Sequence, residues 1–310
     1  MSDRTGRSIR ANQNHGNGVV ALEEGTDSTD RAATLIKRVR GAFESPKYAP
    51  PLLPVAALEV HQLSQSKNVK LEQVLSTLEK DPLLAARVLR VANSSLYAGA
   101  PLQSLHHAVM RLGMKNLASV VWEVALNMRV FRSKAYAEPM EKIRRHSVAV
   151  AHVSRQVAQL TPIALDYAFL CGLLHDVGAA AILLLLGEHG SDDAALPADV
   201  LSDVLGAAHA HASQIIAKMW KLPEDLQIVL AHHHTVAIGG HTHPTAAVVA
   251  VAEHLVAEAA ATQGAPAASW DATPPRSLRA AEQALQLTQL AMEKLKKRTA
   301  DLLSELASAD

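Results

Sequence analysis

The sequence predicts an all-α fold, a multi-helix bundle with an additional long C-terminal helix, and three observations predict it. Alanine and leucine dominate while aromatic residues make up 3%, a balance that favours helices because Ala and Leu lose little side-chain freedom there. From Val55 onward, polar and apolar residues alternate at helical rather than strand spacing. The breaks between periodic stretches carry helix punctuation, such as Asp81-Pro82 before one run and Gly113 after another. At 310 residues the chain can bury a substantial core.

Composition narrows the function classes. Thirty basic and thirty acidic residues cancel, so bulk charge gives no reason to expect nucleic acid or an anionic membrane. A single cysteine, Cys171, excludes an intramolecular disulfide and a Cys-rich zinc site; within its apolar run it reads as a small buried hydrophobe. The N-terminal stretch has no apolar core of signal-peptide length. The most apolar stretch, residues 169–186, is interrupted by His175 and Asp176, which favours a buried helix over a membrane span. The expected location is cytoplasmic.

Taken in order, residues 1–30 are rich in Asn, Gly, Asp, Ser and Thr and are expected to be a disordered arm. Residues 31–261 form the expected main domain, with an N-terminal helical part over about 45–135 and a second helical part over 140–261. It opens with an amphipathic segment at 32–43 and the Pro-rich SPKYAPPLLP. Asp81-Pro82 starts a helix on which Leu84, Val88 and Val91 share a face, and Asn93-Ser94-Ser95 ends it. A helix over 105–112 stops at Gly113, and 117–130 continues the bundle. Residues 262–277 read as a linker and 278–308 as one amphipathic helix. In that last helix Leu278, Leu285, Met292 and Thr299 recur every seven residues beside Ala281, Thr288, Leu295 and Leu302. Such a seam suits either a helix folding back on the bundle or a coiled-coil homodimer.

Sixteen histidines need sorting, and helical phase sorts them. His146 shares a face with Val150, Val153 and Val157 and points inward, whereas His152 lies with Gln156 and Gln159 and points to water. His209 aligns with Ala212, Ile216 and Trp220; His211 aligns with Gln214 and Lys218. His233 follows Leu226 and Leu230 while His232 sits beside Ile228 and Val229, so either can reach a core. Glu253 lies with Val249 and Val256, on the buried side. His175 and Asp176 occupy a helix apolar all round, the mark of a central helix. Gly178 then lets another helix approach closely. His241 and His243, in GGHTHP, read as solvated loop residues.

Five stretches thus turn metal-compatible side chains toward one interior. An isolated buried carboxylate is costly, and a divalent ion held by imidazoles and carboxylates would neutralise it. A hydrogen-bonded polar network without metal satisfies the same pattern.

GLLHDVG, with His146 some thirty residues before it and His209 and His232-His233 after it, resembles the HD superfamily of metal-dependent phosphohydrolases. LLPVAALEV, DPLLAARVLRVANSSLY and LHHAVMRLGMKNL narrow the resemblance to the HDOD family, a helical signalling branch of that superfamily. The resemblance implies an HDOD/HD-like bundle and a metal-ligand set of His146, His175, Asp176, His209 and His232 or His233, closed by Glu253 where HD enzymes usually carry Asp. The implied ion is Fe, Mn, Zn or Mg. The related cyclic-dinucleotide phosphodiesterases carry Gly-Tyr-Pro after their paired histidines and a lysine after HDxG; here stand HHHTVAIGGHTHP and Ala179.

The resemblance implies a non-catalytic regulatory output module whose partners are other signalling proteins, such as second-messenger enzymes or two-component proteins. The second class is a metal-dependent phosphohydrolase acting on a nucleotide or cyclic dinucleotide, with Asp176 positioning the nucleophile. Arg144-Arg145 is its weak candidate for a phosphate clamp and reads better as a solvated face. Nucleic-acid binding comes last, since KLKKR at 294–298 is the only dense basic run.

Overall fold

The computed structural model describes residues 28–52, 55–64, 66, 68–97, 99–189, 196–263 and 273–309. Among these residues lie thirteen α-helices, one 3-10 turn and one short antiparallel hairpin, Ala237–Ile238 against His241–Thr242. The expected N-terminal arm falls outside the described residues up to position 27, and Ser28 already begins a helix.

The N-terminal half contains α2 (Val55–Ser64), α3 (Leu71–Glu79), α4 (Pro82–Ala92) and α5 (Leu105–Arg129). Helix α4 starts as its sequence dictates: Asp81 accepts a hydrogen bond from Leu84 N at 3.1 Å, and Pro82 occupies the first turn, where no N–H is needed. Leu84, Val88 and Ala92 form its buried face. Asn93 closes it and clamps the following loop, accepting from Leu102 N at 2.7 Å and donating to Leu102 O at 2.9 Å. Helix α5 is kinked at Gly113, whose φ of 68° is a left-handed conformation that only glycine adopts at little cost.

The second half comprises α6 (Ala137–Ala158), α7 (Leu165–Leu174), α8 (Val177–His189), α9 (Ala198–Met219), α10 (Glu224–His232) and α11 (Pro244–Thr262). Leu173, Leu174, Ile182 and Leu183 are wholly buried on α7 and α8, each stabilising by about 1.5–3 kcal/mol relative to exposure. The single helix expected through His175 and Asp176 is instead two, with the pair at the break between α7 and α8. The 165–188 stretch and α11 are long and apolar enough to cross a membrane, yet 83% and 67% of their most apolar windows are buried inside the chain, as core helices are.

Two flanking segments cover this half. Helix α1 (Ser28–Glu44) packs on α9 through Ala32, Leu35, Val39 and Phe43, the inward stripe of an amphipathic helix. Arg40 fastens it by donating to Ala207 O at 2.6 Å. The expected long C-terminal helix is broken into α12 (Pro275–Ala284) and α13 (Gln289–Ala309), with Gln286 at a φ of 54° in the turn. Both pack on α11, and α13 also meets α6. The seam residues Ala281, Leu285, Met292, Leu295, Thr299 and Leu302 are buried within the same chain.

Candidate metal centre

Five structural elements deliver side chains to one interior point. His146 comes from α6, His175 and Asp176 from the α7–α8 break, His209 from α9, and Glu253 from α11. His233 and His234 come from the residues that end α10. His175, Asp176, His233 and Glu253 are 0% exposed and His209 is 1% exposed; His146 and His234 are partly buried.

The backbone fixes the tautomers. Nδ1 of His175 lies 2.7 Å from Gly172 O, Nδ1 of His209 lies 2.8 Å from Leu205 O, and Nδ1 of His233 lies 2.8 Å from Leu230 O. A carbonyl only accepts, so each Nδ1 carries a proton and Nε2 is the nitrogen that can offer a lone pair. These Nε2 atoms face inward together. His209 Nε2 lies 3.2 Å from His233 Nε2 and 2.8 Å from His234 Nε2, while His175 Nε2 lies 3.3 Å from His146 Nε2. His209 and His233 thus oppose two lone pairs at 3.2 Å, which repel unless a cation lies between them, either an extra proton or a metal ion; His146 and His234 can instead donate Nε2–H to His175 and His209. Nitrogens held about 2.0–2.1 Å from one ion stand about 2.8–3.4 Å apart at octahedral or tetrahedral angles. The observed spacing fits a metal.

The donors fall into two groups, His209 with His233 and His234, and His146 with His175 and Glu253; within each, the ligand atoms lie within 4.8 Å of one another. Asp176 stands between them. Its Oδ2 is 3.8 Å from His175 Nε2, and its Oδ1 is 3.5 Å from His209 Nε2 and 4.0 Å from His233 Nε2. One carboxylate therefore addresses both groups, and the arrangement can hold one or two ions. Five imidazoles and two carboxylates suit Zn, Fe or Mn; Mg, which prefers oxygen ligands, fits least well.

Of the seven residues expected in the site, six converge and His232 does not. Its ring turns away, with Nδ1 3.3 Å from Thr235 Oγ1 at the exposed end of α10. His234, unselected by helical phase, takes the vacated role, reaching His209 with Nε2 and lying 3.4 Å from Glu253 Oε1 with Nδ1. Helix α10 ends at His232, so the next residues no longer follow its phase. The run of three histidines was the remaining signal.

With this geometry in hand, comparison with known proteins decides the family. The sequence profile described as the HDOD domain matches residues 51–236. The chain belongs to the HDOD family.

Among solved structures, an HDOD domain protein of unknown function from Geobacter sulfurreducens superposes with a TM-score of 0.67 at 21% identity, covering 91% of this chain and 98% of that one. A provisionally named metal-dependent phosphohydrolase from Shewanella amazonensis superposes at 0.62 with 18% identity, covering 87% and 99%. A provisionally named signal transduction protein from Marinobacter aquaeolei gives 0.64 at 19% identity, covering 91% and 68%. At these identities the likeness concerns the fold. No curated protein matches the sequence significantly.

The surroundings of the centre in this HDOD protein revise three further expectations. Of the Arg144-Arg145 pair, expected as a solvated face, Arg145 is exposed as expected while the Arg144 side chain is mostly covered, and both donate to Glu141, Arg144 through Nε and Nη2 at 2.7 Å each and Arg145 at 2.7 Å. Arg144 holds the Glu141 carboxyl below its ordinary range. His152, expected to face water, stacks edge-on to Phe169 and points toward Glu123 at 3.9 Å, in the junction with α5. His243, expected in a solvated loop, caps α11 and meets Asp225 Oδ1 at 2.9 Å, while Tyr167 donates its hydroxyl to the other oxygen of Asp225. That clamp ties the start of α10 to the start of α11, the two helices that lead to His233, His234 and Glu253.

Proposed function

We propose that this HDOD protein is a regulatory signal-transduction module, acting by protein–protein contact, whose metal-competent centre organises its second half rather than turning over a substrate. One observation carries the reading. Five of the seven converging groups are at most 1% exposed, and the histidine nitrogens of the centre stand 2.8–3.3 Å apart, a spacing that suits an ion enclosed among protein groups. The two arginines weighed as a phosphate clamp, Arg144 and Arg145, both pair with Glu141. An ion bound by groups from five elements would stabilise the folded form directly, because no such site exists in the unfolded chain.

A second reading, metal-dependent phosphohydrolysis, is favoured by the retained donors and by His146 and His234, which give the centre one less enclosed side. A bound ion would polarise a phosphoryl oxygen and acidify a water molecule; Asp176 would then orient the nucleophile.

Hydrolysis of a generic phosphodiester by protein loaded with Mn²⁺, Fe²⁺ or Zn²⁺ separates the two. The module reading expects no ion-dependent turnover. Turnover that disappears in His175→Ala and Asp176→Ala would overturn it.

A further inference from the structure

The HDOD match ends at residue 236, yet a later part of the chain reaches the centre. Thr273, just before α12, donates its hydroxyl to Glu253 Oε2 at 2.5 Å. The hydroxyl donates and the carboxyl oxygen accepts, at the short end of the range for O–H···O bonds. The other oxygen, Oε1, lies 3.4 Å from His234 Nδ1, and the Glu253 side chain is 1% exposed.

Glu253 can draw no such donor from its own helix. The residues one turn away on α11 are Val249, Ala250, Val256 and Ala257, none of which has a side-chain hydrogen to give. Thr273 supplies one from outside, and it is held stiffly. Pro274 and Pro275 follow it, with Pro274 at φ −58° and ψ 142°, so the backbone between Thr273 and α12 has little freedom. Helix α12 packs on α11 and against the second strand of the hairpin that leads away from His234. One short segment therefore touches both the carboxylate and the frame of the histidine run.

We propose that Thr273 is the positioning residue for Glu253, so that seating of the C-terminal helices and loading of the metal centre are coupled. The inference rests on the metal-competent reading given above. Coupling is reciprocal: if seating α12 tightens the ion, the ion must tighten the seating of α12 by the same factor. A hydroxyl that orients a ligating carboxylate typically contributes about tenfold or more to metal affinity.

The test uses the full chain and two readouts besides activity. Mn²⁺ and Zn²⁺ affinities are measured by chelator competition for wild type, Thr273→Val and Thr273→Ser, and amide exchange in α12 is followed with and without ion. Valine keeps the shape without the hydroxyl; serine keeps the hydroxyl. The expected result is roughly tenfold weaker binding in Thr273→Val, near-wild-type binding in Thr273→Ser, and ion-dependent protection of α12 that is lost only in the valine variant. Thr273→Val that binds like wild type overturns the inference while leaving the metal reading intact, even if its melting temperature falls. Wild type that binds neither ion overturns both.

Discussion

Gly178 lies directly against Ser213: its N–H donates to Ser213 Oγ at 2.8 Å, and the same hydroxyl donates onward to His175 O at 2.8 Å. A Cβ at position 178 would come within 2.4 Å of Ser213 N and 2.1 Å of His209 O. The helix that follows the His-Asp pair is thus seated backbone to backbone on the helix that carries His209. Gly178→Ala must push α8 and α9 apart, at a cost of about 3 kcal/mol. Ser213→Ala strands two buried backbone groups and costs about 1–3 kcal/mol. Urea denaturation measures both, and an unshifted midpoint in Gly178→Ala contradicts the close approach.

His234 and His232 give a pair of opposed expectations. His234→Ala removes a nitrogen 2.8 Å from His209 Nε2 and should lower ion retention at least tenfold. His232→Ala removes a ring bonded only locally to Thr235 and should leave retention unchanged. Metal content after dialysis reads both, and the reverse order would mean that α10 ends in a different register.

Cys171 is 0% exposed, and burial pushes its thiol well above the ordinary range. In native buffer it should resist a thiol reagent at neutral pH, and in guanidinium one equivalent should react per chain, since the sequence holds a single cysteine. Rapid labelling of the folded protein would show that α7 is not the enclosed helix described.

The C-terminal helices lend themselves to truncation. Removing residues 275–310 uncovers α11 and α6, against which α12 and α13 pack. The expected outcome is a chain less stable by several kcal/mol, because the burial of five large apolar side chains, Leu285, Met292, Leu295, Leu302 and partly buried Leu278, is lost together with the cover they give α11 and α6. Chemical denaturation and light scattering check this. A truncated chain of undiminished stability would point instead to a seam that serves a dimer.

Much of the site was legible because helical phase is a strong constraint where a helix runs on. His146 and His209 sit mid-helix on α6 and α9, and Glu253 mid-helix on α11, so their apolar neighbours one turn away reported their direction. Phase failed where helices end. His234 follows the end of α10 at His232 and was missed while His232 was admitted, and the break between α7 and α8 at His175 and Asp176, both correctly placed in the site, was concealed by hydrophobicity on either side. His152 and His243 were misread for another reason: each is polar-facing within its own segment, but a distant residue, Glu123 or Asp225, provides the partner. Thr273 lay beyond reach altogether, as nothing local to the linker marks which buried carboxylate it will meet.

The central claim is that Nε2 lone pairs from separate helices are held together by a metal ion. Its most direct test is elemental analysis of protein purified without chelator, alongside the His175→Ala and His209→Ala variants. The wild-type chain should carry one or two equivalents of Zn, Fe or Mn, reduced in both variants, with thermal stability falling when the ion is stripped. A metal-free wild type whose stability is indifferent to added Zn²⁺, Fe²⁺ and Mn²⁺ would contradict it, and would leave a hydrogen-bonded histidine network in its place.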